Sequence, residues 1–166
     1  MQVLRKLISD HLKARFSERG KYSHIYTDIE GQEELTIKVY EQRLPDIMDD
    51  KYSGAPFILI TGETESETVN VSEEFQKTVA FTLTATIPCS KKNDVVFDDD
   101  LRLENLVADV VRELKSAVGL QFAPGTTINT EYGNLTYGTQ AIAAQITFSA
   151  QISGTYDSNL GKYLKR

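Results

Sequence analysis

Two long segments of this chain alternate apolar with small polar side chains, and they constrain its fold more than any other feature. In the first, Val79, Phe81, Leu83, Ala85 and Ile87 alternate with Thr78, Ala80, Thr82, Thr84 and Thr86. In the second, Ile142, Ala144, Ile146, Phe148, Ala150 and Ile152 alternate with Ala141, Ala143, Gln145, Thr147, Ser149 and Gln151. Successive side chains of a strand point to opposite faces, so alternation this long predicts two long strands of a half-buried sheet. The second face is built from Thr, Gln, Ser and Ala without a charge, unlike an ordinary solvent face. Packing against another subunit would account for its small size and neutrality.

Around these strands the chain reads as α+β. Leu4, Leu7, Ile8, His11, Leu12 and Phe16 form one stripe of a helix over residues 2–18, ended by Gly20. Short strands are expected at His24–Asp28 and Leu35–Tyr40, followed by an acidic loop from Arg43 to Gly54. Phe57-Ile58-Leu59-Ile60 is an unbroken apolar run, as in a central strand buried on both faces. Glu63–Glu74 is acidic and polar, either a hairpin arm or an extended connector. A second helix is expected over Leu101–Val118, with Asp98, Asp99 and Asp100 at its start, Lys115 in its last turn and Gly119 closing it. Thr126–Tyr132 reads as a strand and Gly133–Gly138 as its connection to the last long strand. The order of elements predicts a mostly antiparallel or mixed sheet with both helices on one face. Residues 1–153 form the expected single domain, and 154–166, with Gly154, Gly161 and mixed charge, a flexible C-terminal arm.

Charge is unevenly placed. Residues 1–21 hold six basic and two acidic side chains, and Lys162, Lys165 and Arg166 add three positive charges at the other end. The nine basic and 22 acidic residues between them leave that body at −13 within a chain of net charge −6. Such a body is not built to wrap duplex DNA, whose phosphates call for Lys and Arg. Basic ends on an acidic body suit association between copies. A solvated surface with no partner fits the same distribution, and the charges alone leave both open. Arg5, Lys6, Asp10 and His11 interrupt the first apolar stripe, so no secretory signal is expected there, and no apolar run is long enough for a membrane span. With one cysteine, Cys89, neither an internal disulfide nor a cysteine-based zinc cluster is expected, which fits a reducing cytoplasm.

No catalytic pattern emerges, and neither an enzyme nor a cofactor is expected. His11 lies on an apolar stripe as a core histidine would, and His24 has no second histidine or cysteine at a ligand spacing. A Gly-x-Ser-x-Gly elbow is absent. Helix capping accounts for the Asp98–Asp100 triplet better than a cation does, and Asp46, Asp49 and Asp50 lack the spacing of a calcium loop. Gly154 to Gly161-Lys162 imitates a phosphate loop, but six residues separate its glycines and Tyr163 replaces the required Ser or Thr. Tyr22, Tyr26, Tyr40, Tyr52, Tyr132, Tyr137, Tyr156 and Tyr163 fall partly in loops, where tyrosine serves core and interface contacts.

The succession of the helix Val3–Phe16, the strands Leu35–Tyr40, Pro56–Ile60 and Thr78–Ile87, the helix Leu101–Val118 after an aspartate-rich loop, and a final strand pair ending near Ile152 resembles the tail-terminator, or tail-completion, proteins of tailed bacteriophages. The match spans about residues 2–153 and rests on element order and size. The resemblance implies a homo-oligomeric ring, expected to be a hexamer, that caps the tail tube, stops its polymerisation and offers the head-attachment surface. Its partners would be further copies of itself, the tail tube protein and a head–tail connector protein, with DNA only in transit through the lumen and no membrane. Its place would be the virion tail, assembled in the bacterial host cytoplasm. Interface residues are then expected on the neutral sheet face, at Thr82, Thr84, Gln145 and Thr147, and in the arm, at Tyr156, Tyr163, Lys165 and Arg166. Another head–tail connector or minor tail protein, or a small-ligand-binding α+β module, remains the alternative.

Overall fold

A computed structural model describes residues 2–16, 37–42, 56–69, 74–88, 96–137, 139–157 and 162–165. Two helices cover one face of a seven-stranded mixed sheet, an α+β architecture. Helix α1, Gln2–Phe16, turns Leu4, Ile8, Leu12 and Phe16 inward at four-residue spacing, each 1% exposed or less. Helix α2, Val96–Ser116, buries Leu103, Leu106, Val107, Val110 and Leu114 in the same way. Both helices end with basic residues, Lys13 and Arg15 in α1 and Lys115 in α2, which complement the negative end of the helix dipole.

The strands are β1 (Lys38–Glu41), β2 (Phe57–Val69), β3 (Glu74–Pro88), β4 (Gln121–Phe122), β5 (Asn129–Tyr137), β6 (Thr139–Asp157) and β7 (Lys162–Lys165). β1 pairs parallel with β2, and every other pairing is antiparallel. β2 lies between β1 and β3, and β3 pairs with β6 over fifteen residue pairs, from Glu74–Thr155 to Pro88–Ala141. The other edge of β6 is shared in succession by β5, β4 and β7. The two alternating segments therefore lie side by side at the centre of the sheet. Their apolar faces coincide in register: Phe81 opposes Phe148, Leu83 opposes Ile146 and Ile87 opposes Ile142. These residues, with Val39, Ile58 and Ile60, meet the inward stripes of α1 and α2 in one core.

Several boundaries differ from the sequence expectation. α2 starts at Val96, so the aspartate triplet occupies its first turns and does not precede it. β5 runs on to Tyr137, through the stretch expected as a connection. Strand propensity at Leu135, Thr136 and Tyr137 and continuous pairing with β6 outweigh Gly133. Glu63–Glu74 resolves toward the hairpin: β2 continues to Val69 and pairs with β3 down to Val69–Phe75. Residues 154–157, expected in a flexible arm, extend β6 and pair with β7, because Thr155, Tyr156, Tyr163 and Leu164 are strand formers that meet in register. The ends expected for α1 at Gly20 and for the strand at His24–Asp28, and the acidic loop of residues 43–54 with its Asp46, Asp49 and Asp50, lie outside the described residues.

Candidate assembly surface

The face of the sheet turned away from the helices is the feature that needs a function. Register places Lys38, Tyr40, Phe57, Leu59, Thr61, Thr82, Thr84, Thr86, Gln145, Thr147, Ser149 and Gln151 on it, with Asn129 and Glu131 of β5 beside Thr147 and Gln145. It has two zones. At one end Phe57 is 1% and Thr86 0% exposed, Thr84 and Ala143 are buried beside them, and the Tyr40 ring lies 6.2 Å from the Phe57 ring. Further along, Thr61, Thr78, Ala80, Thr82, Thr147 and Ser149 are half-buried. They form cross-strand pairs, Thr61 with Thr82, Thr82 with Thr147 and Ala80 with Ser149. The Thr61 hydroxyl donates to the Thr82 carbonyl at 3.4 Å. The middle of this surface carries short uncharged side chains, while the edge strands bring the exposed Lys38 and Glu131 to its sides, so covering the middle alone would strip no charge of water.

A β-bulge decides how far that surface extends. Thr61 opposes Thr82 but Thr64 opposes Ala80, so two residues, Gly62 and Glu63, stand against one on β3. Strict alternation from Phe57 would have put Glu63, Glu65 and Glu67 in the neutral row. The extra residue brings Thr64, Ser66 and Thr68 there and sends Glu65 and Glu67 to the helix side. Beyond the bulge Thr64, Glu65, Ser66, Glu67 and Thr68 of β2 are all exposed. Lys77 Nζ there lies 3.8 Å from Glu67 Oε2. The sheet thus projects beyond its core as an arm with one neutral and one charged face.

Of the residues expected at an interface, Thr82, Thr84, Gln145 and Thr147 come together as two cross-strand pairs, Thr82–Thr147 and Thr84–Gln145. Thr82 and Thr147 are half-buried and Gln145 is exposed, while Thr84 is already buried within the subunit at 8% exposure. Tyr156 opposes Tyr163 and Lys165 opposes Gly154 in the β6–β7 pairing, remote from those four. Arg166 lies outside the described residues. Sequence reading missed Thr61 and the Thr64, Ser66 and Thr68 row, because their face depends on the bulge.

Two carboxylates hold the helices in place. Glu41, at the end of β1, lies 3.5 Å from Arg5 Nε and 3.5 Å from Lys13 Nζ of α1. The neighbouring Ser9 hydroxyl and the nearby Lys13 and Arg5 charges lower its pKa, against the opposing effect of burial. Glu113 of α2 is buried, with its Oε2 3.3 Å from His11 Nε2 and 3.3 Å from Arg15 Nε of α1. Ser116 Oγ donates to the same oxygen at 3.3 Å. His11 is therefore half-buried between the helices, where its position on the apolar stripe put it. Among the described residues no three His, Cys, Asp or Glu side chains are grouped as a metal would require, and no helix is long and apolar enough to cross a membrane.

A cleft of about 400 Å³ opens between α2 and β5, lined by Asp100, Leu103, Glu104, Tyr132, Gly133 and Ile142. Tyr132 is 53% exposed there, and burial followed by the Glu104 charge raises its phenol pKa. In comparisons with known proteins, no family model and no curated protein matches this chain.

Proposed function

We propose that this chain is a structural assembly protein that acts as a ring of identical subunits, in the manner of the phage tail terminators its element order resembles. The ring would cap a tail tube, stop its polymerisation and present the head-attachment surface. Its partners are further copies of itself, the tail tube protein and a head–tail connector protein, and DNA only passes through its lumen. It works in the virion tail after assembly in the host cytoplasm, and it has no catalytic role. The observation that carries the reading is the middle of the sheet face opposite α1 and α2, where Thr61, Thr82, Thr147 and Ser149 lie half-buried. The uncharged middle of this face loses little by leaving water and gains by packing against another neutral surface, with Lys38 and Glu131 at its rim. The arm beyond Val79 adds paired strands that reach past the core.

Size-exclusion chromatography with light scattering tests the reading on the purified protein, alone and with tail tubes. A ring of about six copies, or a monomer that assembles only on tubes, is expected from closed symmetry. Thr82→Lys and Thr147→Lys place an ammonium in the centre of the face without entering the core. Each should weaken association by about tenfold or more, since the charge must be buried unpaired, while the circular dichroism spectrum stays unchanged. A second reading, a small-ligand-binding α+β module, draws on the cleft beside Tyr132. A strictly monomeric protein that ignores tubes and binds a metabolite would replace the first reading with the second.

A further inference from the structure

The two lateral edges of the sheet carry opposite charge. At the β5 edge Asn129, Glu131, Tyr132 and Gly133 are all exposed. The start of α2 brings Asp98, Asp99 and Asp100 to this end, and Glu104 follows one turn later. In the cleft between them Leu103 and Ile142 are buried, while Asp100 and Glu104 are exposed beside the Tyr132 ring. Carboxylates next to an aromatic ring and an apolar lining form a receptor for a long cationic side chain. The head pairs with the carboxylates and stacks on the ring, and the methylene stem covers the apolar wall. Arg102, from the same stretch of α2, is half-buried and engaged in an interaction of its own.

On the opposite side the described residues of α1 and β1 carry a basic excess, Arg5, Lys6, Lys13 and Lys38 against Asp10 and Glu41. β1 carries the exposed Lys38 there, and α1 packs over β1 with Lys6 and Lys13 on its outer side, their side chains 70% and 46% exposed. Among the described residues Lys6 pairs with Asp10 one turn along α1, at 3.1 Å, an exposed pair that contributes little and is readily exchanged.

We infer that the cleft between the start of α2 and β5 receives Lys6 from the α1 edge of a second copy of this chain, joining copies head to tail. The inference rests on the assembly reading and adds to it a second, charged contact with a defined occupant. Because the two surfaces lie on opposite edges of one subunit, the contact is heterologous, the type from which closed rings are made.

Charge reversal tests it, with self-association followed by sedimentation equilibrium in low salt and in roughly 0.5 M salt, where exposed pairs are screened. Glu104→Lys and Lys6→Glu should each weaken association at least tenfold, and the double variant Glu104→Lys/Lys6→Glu should recover most of it. Tyr132→Ala should weaken association as well. Both reversed residues are exposed, and a circular dichroism melt checks that each variant folds. Association unchanged by Glu104→Lys overturns the cleft while the assembly reading stands. Loss without recovery in the double variant overturns Lys6 as the occupant and the inference with it. A wild-type protein that stays monomeric alone and on tail tubes overturns both.

Discussion

Glu113 is the residue on which the two helices depend most directly. Its carboxylate is buried, faces His11 and Arg15 across the α1–α2 contact, and accepts from Ser116. Glu113→Ala removes the carboxylate that Arg15 and His11 face, while Ser116 keeps its 3.0 Å bond to the Glu113 carbonyl, and about 1–2 kcal/mol of stability should be lost, less than for a fully buried pair because Arg15 is half exposed. Urea unfolding of the two proteins measures this, and an unchanged midpoint would remove Glu113 as the tie between the helices. Glu41 predicts a pH effect. The neighbouring Ser9 hydroxyl and the Lys13 and Arg5 charges lower its pKa from the ordinary 4.5. A lowered pKa means that the folded chain favours the charged form, so the contribution is fully present above pH 4.5 and fades as pH falls through the lowered value. The stability gap between wild type and Glu41→Gln should therefore be widest near neutrality and close in acid, as thermal melts across a pH series will show. The inward stripes around these residues were legible from spacing alone. Glu113 was not, because its partners sit on another helix about a hundred residues earlier in the chain.

At the scale of elements, the turn after α2 is set by one glycine. Gly119 adopts φ +87, and a Cβ there would lie 3.2 Å from Leu7 Cδ1 of α1. Gly125 has φ +72 with open space around its missing Cβ. Alanine at either site carries the left-handed backbone penalty of about 1 kcal/mol, and only at Gly119 must a side chain of α1 also give way. Gly119→Ala should lower Tm more than Gly125→Ala, and equal shifts would mean that the Leu7 contact carries no weight. The closing role of Gly119 could be read from its place after the last apolar residue of α2. The contact with α1 could not, since it depends on where the other helix packs. The ends of β3, α2 and β5 moved outward from their expected limits for a related reason. Pairing with β6 and packing on the sheet supply the energy that local sequence lacks at Glu74, Val96 and Tyr137.

For the whole molecule, the sheet runs on past Ile152 through the β6–β7 pairs. Deleting residues 154–166 removes β7 and the last pairs between β3 and β6, and leaves every residue placed in the core above. Tm should fall by only about 2–4 °C, the equivalent of about 1 kcal/mol in a domain of this size, while ring formation or tube capping is impaired. Unchanged tail length and infectivity after the deletion would leave the β6–β7 end without a part in assembly. The sequence by itself determined the α+β class, the two central strands, the inward stripes of both helices and the neutrality of one strand face. These follow from periodicities of two and 3.6 residues, which are local properties of the chain. The tertiary structure decided which strands are neighbours, which carboxylate meets which cation, and how far the neutral face extends. That last point turns on the bulge at Gly62 and Glu63, which exchanges the faces of every residue after it. A change of face is fixed by pairing with β3 and leaves no periodic mark of its own, because a single extra residue is an irregularity that only the partner strand can define.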